Sequence, residues 1–403
     1  MKAGAREAGA RWRSRDRENP ILSVGLTFYR GPAYGRSDPG AESMAEAFVP
    51  RAKLESFVVD VLRQVGVPKA DAAIVADVLI TGDLRGKGSH GVARLPRYVN
   101  GIREGTIEPT DKSRVVRETA TTALVDGGNS LGQVVGVKAM RLAIEKAKRS
   151  NIGLVAVRNS NHYGIAGYYA LMALDHNMIG ISMTNTFPLV VPTFGRAAII
   201  GTNPIALAAP TDRETPFALD MATSVVPRGK LEAYDREGKP LPLGWAVDAE
   251  GRGTTNARTV LDNMANRRGG GVLPLGGEGE EFSGHKGYGL ALMVDVLCGT
   301  LSGAASGPDA YAKQTEANLG HLFAAISIES FRPAAEFRAD LDRLLRALKE
   351  SPRAAGHDRI YTHGEKAAAA TRAATAKGIL LGPKVVENLK ALGSSVSVPW
   401  ASR

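Results

Sequence analysis

Residues 86–91 read Gly86-Lys87-Gly88-Ser89-His90-Gly91, a letter-for-letter match to G-x-G-x-x-G. In a Rossmann domain such a stretch follows a strand and opens a helix, with an acidic residue further on. Glu108 lies downstream, but the residues ahead of the glycines do not alternate as a strand does. Ile74, Val75, Val78 and Leu79 recur at helical spacing over residues 70–85, and Pro96 interrupts the segment after the glycines. The glycines therefore read as a tight turn after a helix, and Ser89 and His90 stand on a loop. A doubly wound parallel sheet is not indicated here.

Working outward, Leu54, Phe57, Val58, Val61 and Leu62 mark an earlier helix, ended by Gly66 and Pro68. Val137, Met140, Ile144 and Ala147 mark a third helix, which finishes in basic residues as its dipole favours. The period then changes. Residues 152–157, 178–184, 197–200 and 205–209 are short apolar runs bounded by Gly, Asn and Pro, which read as buried strands. A helix follows Lys286 through Leu290, Met293, Val294 and Leu297, and the last third is helical, with Phe337, Leu341, Leu344, Leu345 and Leu348 on one face. The order is helices, strands, helices, without an internal repeat.

The 403 residues allow two or three domains, and 44% hydrophobic with 23% charged residues is a globular composition. The single cysteine, Cys298, excludes an internal disulfide and fits a reducing, cytoplasmic setting. No apolar run reaches the roughly 20 residues of a membrane helix; residues 290–305 come nearest and carry Asp295. The net charge of +10 is partly local, because residues 1–43 hold eight Lys or Arg against five Asp or Glu. That stretch reads as a basic disordered tail or as residues ahead of a true start at Met44.

Several polar clusters can carry chemistry. His90 is followed by Arg94 and Arg97, whose like charge disfavours the imidazolium. Arg offers a two-pronged clamp for a carboxylate and His moves a proton, although the trio also fits an ordinary surface loop. His162 sits in Ser160-Asn161-His162-Tyr163-Gly164 at a strand exit, where either a site or a satisfied loop histidine is expected. His285 and Lys286 lie in a glycine-rich turn into a helix, a ready anion site without Walker A spacing. Residues 184–188 and 201–204 are rich in Thr and Asn, which can satisfy strand ends or read a ligand's ribose or amide. Asp220-Met221-Ala222-Thr223-Ser224 offers a carboxylate and two hydroxyls, suited to ribose hydroxyls or to a histidine partner. The seven histidines are scattered without zinc spacing, so no metal site is expected.

Taken together the motifs become specific. They are D-L-R-G-x-x-S-H-G-V-x-R-x-P-R-Y at 83–98, S-N-H-Y-G at 160–164 and G-I-S-M-T-N-T at 180–186. G-T-N-P-I-A follows at 201–206, L-D-M-A-T-S at 219–224, P-x-G-W-A-V-D at 242–248 and S-G-H-K-G-Y-G at 283–289. In this order and spacing the chain resembles the malate/L-lactate dehydrogenase family, which includes ureidoglycolate, sulfolactate and diketogulonate dehydrogenases or reductases. The resemblance runs from about residue 52 to the C-terminus.

The resemblance implies an α/β (α+β) fold of the non-Rossmann, L-sulfolactate dehydrogenase-like kind, with a largely antiparallel cofactor-binding sheet. Residues 129–309 would form the NAD(P)-binding domain. Residues 44–128 plus 310–403 would form a helical region for substrate and oligomerisation. It implies an enzyme using NAD or NADP to interconvert a small 2-hydroxy acid and 2-oxo acid, as a homodimer or higher homo-oligomer, with no nucleic-acid or membrane partner. By the resemblance, His90 and His162 carry acid–base chemistry, with His90 preferred because Arg94 follows by four residues. Ser89, Arg94 and Arg97 hold the substrate. Thr186, Asp220, Met221, Ala222, Lys286, His363, Gly364 and Glu365 hold the cofactor. The last three depart from the family's usual Pro-Gly ahead of the acidic residue, because Thr362 and His363 intervene. Two other readings stay open: a reductase of a cyclic imine carboxylate such as piperideine-2-carboxylate, and a nucleic-acid-binding protein on a non-catalytic scaffold.

Overall fold

A computed structural model describes residues 47–312 and 317–400 of the chain. The expectation for residues 1–43 lies outside the described residues. Strand β1 (Ala47–Val49) leads into helices α1 (Arg51–Gln64), α2 (Lys69–Leu84) and α3 (Leu95–Arg103). Strands β2 (Arg114–Glu118) and β3 (Thr122–Asp126) precede α4 (Gly132–Ser150), β4 (Ile152–Ser160), α5 (Ala166–Leu171), β5 (Met178–Thr184), β6 (Ile205–Ala209) and β7 (Phe217–Met221). An excursion carries α6 (Arg228–Arg236), β8 (Ala246–Val247), α7 (Ala257–Ala265) and β9 (Gly271–Val272). Helix α8 (Gly284–Val294) runs on into a π-helical turn, Asp295–Thr300. Then come β10 (Leu319–Ser327), α9 (Ala334–Glu350), α10 (Glu365–Lys377), β11 (Ile379–Leu381) and α11 (Pro383–Ser395).

Seven strands form the main sheet, in the order β2-β3-β4-β10-β5-β6-β7. Neighbours run antiparallel except β3 and β4, whose parallel pairing uses α4 as the crossover such a pair requires. The sheet is thus mostly antiparallel and the chain mixes helix and strand. Helices α4 and α5 pack on it around Met140, Val155, Tyr169 and Phe323, all buried. A second core joins α1, α2, α3 and α11 through Leu54, Val58, Leu79, Tyr98 and Leu389. There β1 pairs with β11, so the two ends of the described chain share one helical body.

Several expectations need adjustment. The main sheet also takes β2, β3 and β10, which lie outside residues 129–309, so the division at 129 and 310 cuts through it. Strand β2 is exposed along its length and lacks the alternation of a half-buried strand, whereas β10 sits mid-sheet with a nearly unbroken buried run. Residues 197–200 form isolated bridges rather than a strand. Helix α8 starts at Gly284, ahead of Lys286. On α9 only Leu345 of the expected face's leucines is buried, while Leu344 and Leu348 remain exposed.

Candidate active site

The loop after α2 is built around a carboxylate. Asp83 accepts from the Val92 amide at 2.8 Å, and burial pushes its pKa up to about 7. A side chain at Gly91 would place its Cβ 2.0 Å from Asp83 Oδ1, so the backbone can wrap the carboxylate only with glycine there. Two 3₁₀ turns, Gly88–His90 and Val92–Arg94, then deliver the side chains of the loop, and α3 continues from them. His90 Nδ1 lies 2.9 Å from Ser89 Oγ, and Arg94 Nε donates to the Ser89 carbonyl at 2.6 Å.

His162 comes from the other direction, off the end of β4. Asn161 fixes that exit by donating to the Asn129 and Ser130 carbonyls, at 3.0 and 3.1 Å. Gly132, opening α4, presses so closely on the Asn161 and His162 carbonyls that a Cβ would come within 2.1 and 2.6 Å of them. Underneath, Tyr163 stacks on buried His321 at 4.6 Å, and His321 bridges Thr184 Oγ1 and Ser160 Oγ at 2.7 and 2.9 Å. Burial lowers the His321 pKa to about 3, so it serves as a neutral strut.

The two imidazoles meet. The His90 and His162 rings stack with centroids 5.5 Å apart and planes 23° apart. Burial first and Arg94 second lower the His90 pKa to about 4, with Asp220 opposing. Burial, then Arg97, hold His162 well below the ordinary range. Among the described residues neither Nε2 has a hydrogen-bond partner, so each ring has an unspent nitrogen. Arg97 donates to the Tyr311 hydroxyl at 2.6 Å and lies over that ring, which leaves the Arg94 guanidinium tips as the less committed cation. Two neutral imidazoles beside arginines suit proton transfer on an anionic substrate.

The expected cofactor residues form one continuous edge. Thr186 accepts from the Thr202 amide, and the Thr223 amide donates to the Thr202 carbonyl, so residue 186 adjoins the segment after β7. The Ala218 amide donates to the His363 carbonyl, which lays residues 363–364 along β7. The Leu275 amide donates to the Thr223 carbonyl, and Gly287 of α8 packs directly on the Leu275 backbone, bringing the start of that helix alongside. Thr186, Asp220, Met221 and Ala222 are half-buried, and Lys286 is exposed. Glu365 is engaged inside the protein: it accepts from the Thr362 amide and pairs with Lys349 and Arg359.

Some polar residues resolve into framework. Asn185 and Asn203 are buried and donate to the two oxygens of Asp295 at 3.2 and 3.1 Å, which anchors both Thr-Asn segments to the π-helical turn. Cys298 is buried in the same turn. Asp220 pairs with Lys87 at 2.6 Å rather than with a histidine. Lys87, Tyr98, Tyr311 and His321 are site neighbours that sequence reading passed over. Lys87 and Tyr98 carried a signal only by standing within the motif at 83–98.

A family model described as malate/L-lactate dehydrogenase matches residues 49–390. The malate dehydrogenase of Pyrococcus horikoshii is 52% identical over 353 residues, 87% of this chain and 96% of that protein. A solved malate dehydrogenase from Entamoeba histolytica superposes with a TM-score of 0.85 at 38% identity, covering 88% of this chain and 99% of its own. Sulfolactate dehydrogenase from Methanocaldococcus jannaschii gives 0.79 at 38%, covering 88% and 98%. With a family model matched over residues 49–390 and a relative 52% identical across 96% of its own length, the chain belongs to the malate/L-lactate dehydrogenase family.

Proposed function

We propose that the protein interconverts a small 2-hydroxy acid and its 2-oxo acid, in the manner of malate or lactate dehydrogenases, with NAD or NADP. The observation that carries this is the stacked pair of neutral imidazoles, each with an unspent Nε2, beside Arg94. The donor set along β7 fits a dinucleotide: the Asp220 carboxylate and Thr186 hydroxyl suit ribose, and Lys286 at the start of α8 suits a pyrophosphate. When bound, the nicotinamide supplies the hydride chemistry at C2.

His90 is the acid–base group. In oxidation its neutral Nε2 takes the hydroxyl proton; in reduction it returns that proton to the oxygen. His162 orients the same oxygen. Arg94 holds the carboxylate and Arg97 and Ser89 frame it. Binding of the anion offsets the arginine charge and raises the His90 pKa, so substrate itself makes imidazolium accessible for the reductive direction. His363 and Gly364 line the cofactor edge, and Glu365 acts there by holding Lys349 and Arg359 in place. The cofactor region comprises residues 129–309 with β2, β3 and β10 added, and the helical body brings the substrate loop. We further infer a homodimer or higher oligomer, a reading supported by exposed Leu292, Met293, Val296 and Leu301 along α8 and the turn after it, and a cytoplasmic setting, supported by the single cysteine. No helix among the described residues is long and apolar enough to cross a membrane.

Absorbance of NADH and NADPH with oxaloacetate, pyruvate, sulfopyruvate and piperideine-2-carboxylate tests the reading. Turnover with a 2-oxo acid is expected. Turnover with the imine acid alone moves the chemistry to C=N reduction, and consumption of neither coenzyme with any of them overturns the proposal.

A further inference from the structure

The Tyr98 phenol is fully buried, and its oxygen lies 2.6 Å from His162 Nδ1. The Gly164 amide directs its N–H at the same nitrogen from 3.4 Å. An amide N–H can only donate, which orients the Nδ1 lone pair toward these two groups; at 3.4 Å the amide is too weak to hold that tautomer alone, and the phenol at 2.6 Å is the donor that fixes it. A neutral imidazole with its lone pair at Nδ1 carries its proton on Nε2. That nitrogen is the one without a partner among the described residues, on the ring that stacks against His90.

The surroundings favour this direction. Burial holds the Tyr98 phenol above its ordinary range, with Arg97 and Arg94 opposing, so the hydroxyl keeps its proton and can donate it in a hydrogen bond. Beside the phenol is Gln133, fully buried, with neither Nε2 nor Oε1 in a hydrogen bond. Its carboxamide adjoins the phenol oxygen without reaching bonding geometry. A buried carboxamide without partners is costly and calls for a purpose. With its Nε2–H turned to the phenol oxygen, Gln133 would donate to it and direct the phenol proton toward His162.

We propose that Tyr98, backed by Gln133, is a positioning residue that fixes His162 as a hydrogen-bond donor, its Nε2–H directed at the oxygen on C2 of the bound acid. The donors run one way, from Gln133 to Tyr98 to His162 to substrate oxygen. This rests on the dehydrogenase reading and divides the work of the two histidines. His90 exchanges the proton, while His162 keeps its own and stabilises the negative charge that gathers on the oxygen as hydride leaves or arrives. A His162 free to change tautomer would withdraw that donor.

The test is ¹⁵N NMR of histidine-labelled protein without cofactor, with His162→Gln assigning the His162 ring signals, compared with Tyr98→Phe. The wild type is expected to show His162 with Nδ1 bare and Nε2 protonated at neutral pH, and Tyr98→Phe to show a mixture of tautomers. In steady-state assays with the 2-oxo acid found in the panel, Tyr98→Phe should lower kcat about 10- to 100-fold, as loss of an orienting partner does, with little change in KM. Should Tyr98→Phe fail to fold, Gln133→Met decides, with the same tautomer mixing and about a fivefold lower kcat, the worth of one ordinary hydrogen bond. A wild-type His162 protonated on Nδ1 overturns the proposal. So does a folded variant that retains the pure Nε2–H form. Because the spectrum needs no substrate, it stands or falls apart from the dehydrogenase reading.

Discussion

Removing Lys87 tests how the His90 loop is fastened to the sheet. Its ammonium donates to Asp220 Oδ2 at 2.6 Å and to the Asp220 carbonyl at 2.9 Å. The Asp220 side chain is only 10% exposed, so Lys87→Met strands a nearly buried carboxylate. Breaking a fully buried pair costs about 3–5 kcal/mol. Lys87 is 33% exposed, which lets water reach the gap and brings the expected loss to about 2–3 kcal/mol. With a urea m-value of about 3 kcal/mol/M, the midpoint should fall by about 0.7–1 M. The measurement is urea unfolding at fixed protein concentration, since an oligomer's stability depends on it. Asp220→Asn, measured alone and with Lys87→Met, completes a cycle in which the double variant should lose less than the two singles together. Single variants that each lose under about 0.5 kcal/mol, and that add, would refute the fastening role.

His90→Asn should lower kcat about 10²- to 10⁴-fold while coenzyme binding, followed by nicotinamide fluorescence, persists; near-native turnover would move the acid–base role to His162. Arg94→Met removes a like charge beside His90, so the His90 pKa should rise from about 4, read by NMR titration, and an unchanged value would contradict the assignment. Asp83 has a native pKa of about 7 against an ordinary 3.8, so the native state binds more protons in that window and stability falls as pH rises through it. Asp83→Asn keeps the Val92 hydrogen bond without that charge, and its stability relative to wild type should therefore improve from pH 4.5 to pH 8 in paired unfolding curves. Gly91→Ala puts a Cβ 2.0 Å from the Asp83 carboxylate and should destabilise by about 1–3 kcal/mol, seen as a lower thermal midpoint.

The sequence discloses most of the helices because their apolar faces are periodic, as with Leu54, Val58 and Leu62 in α1. It discloses β4, β5 and β6 as short buried runs. Strand β2 escapes because Arg114–Glu118 is exposed at every position, so no burial alternation was imposed on it. Order within the sheet is equally hidden, since β10 joins β4 and β5 from more than 130 residues away and only contact in space selects it. At the site, residue types and motif order singled out His90 and His162, but not that their rings stack. The sign of the His90 shift was legible from Arg94, whereas its larger cause, burial, required the fold. Asn185 and Asn203 looked as suited to a ligand as to a strand end, and only the position of Asp295 distinguishes the two.

A structure of the ternary complex with coenzyme and an unreactive 2-oxo acid analogue probes the two-histidine arrangement most directly. The arrangement predicts the C2 oxygen within about 2.6–3.2 Å of both His90 Nε2 and His162 Nε2, with the carboxylate on Arg94. An analogue seated beside the nicotinamide with its C2 oxygen out of reach of both imidazoles would contradict it.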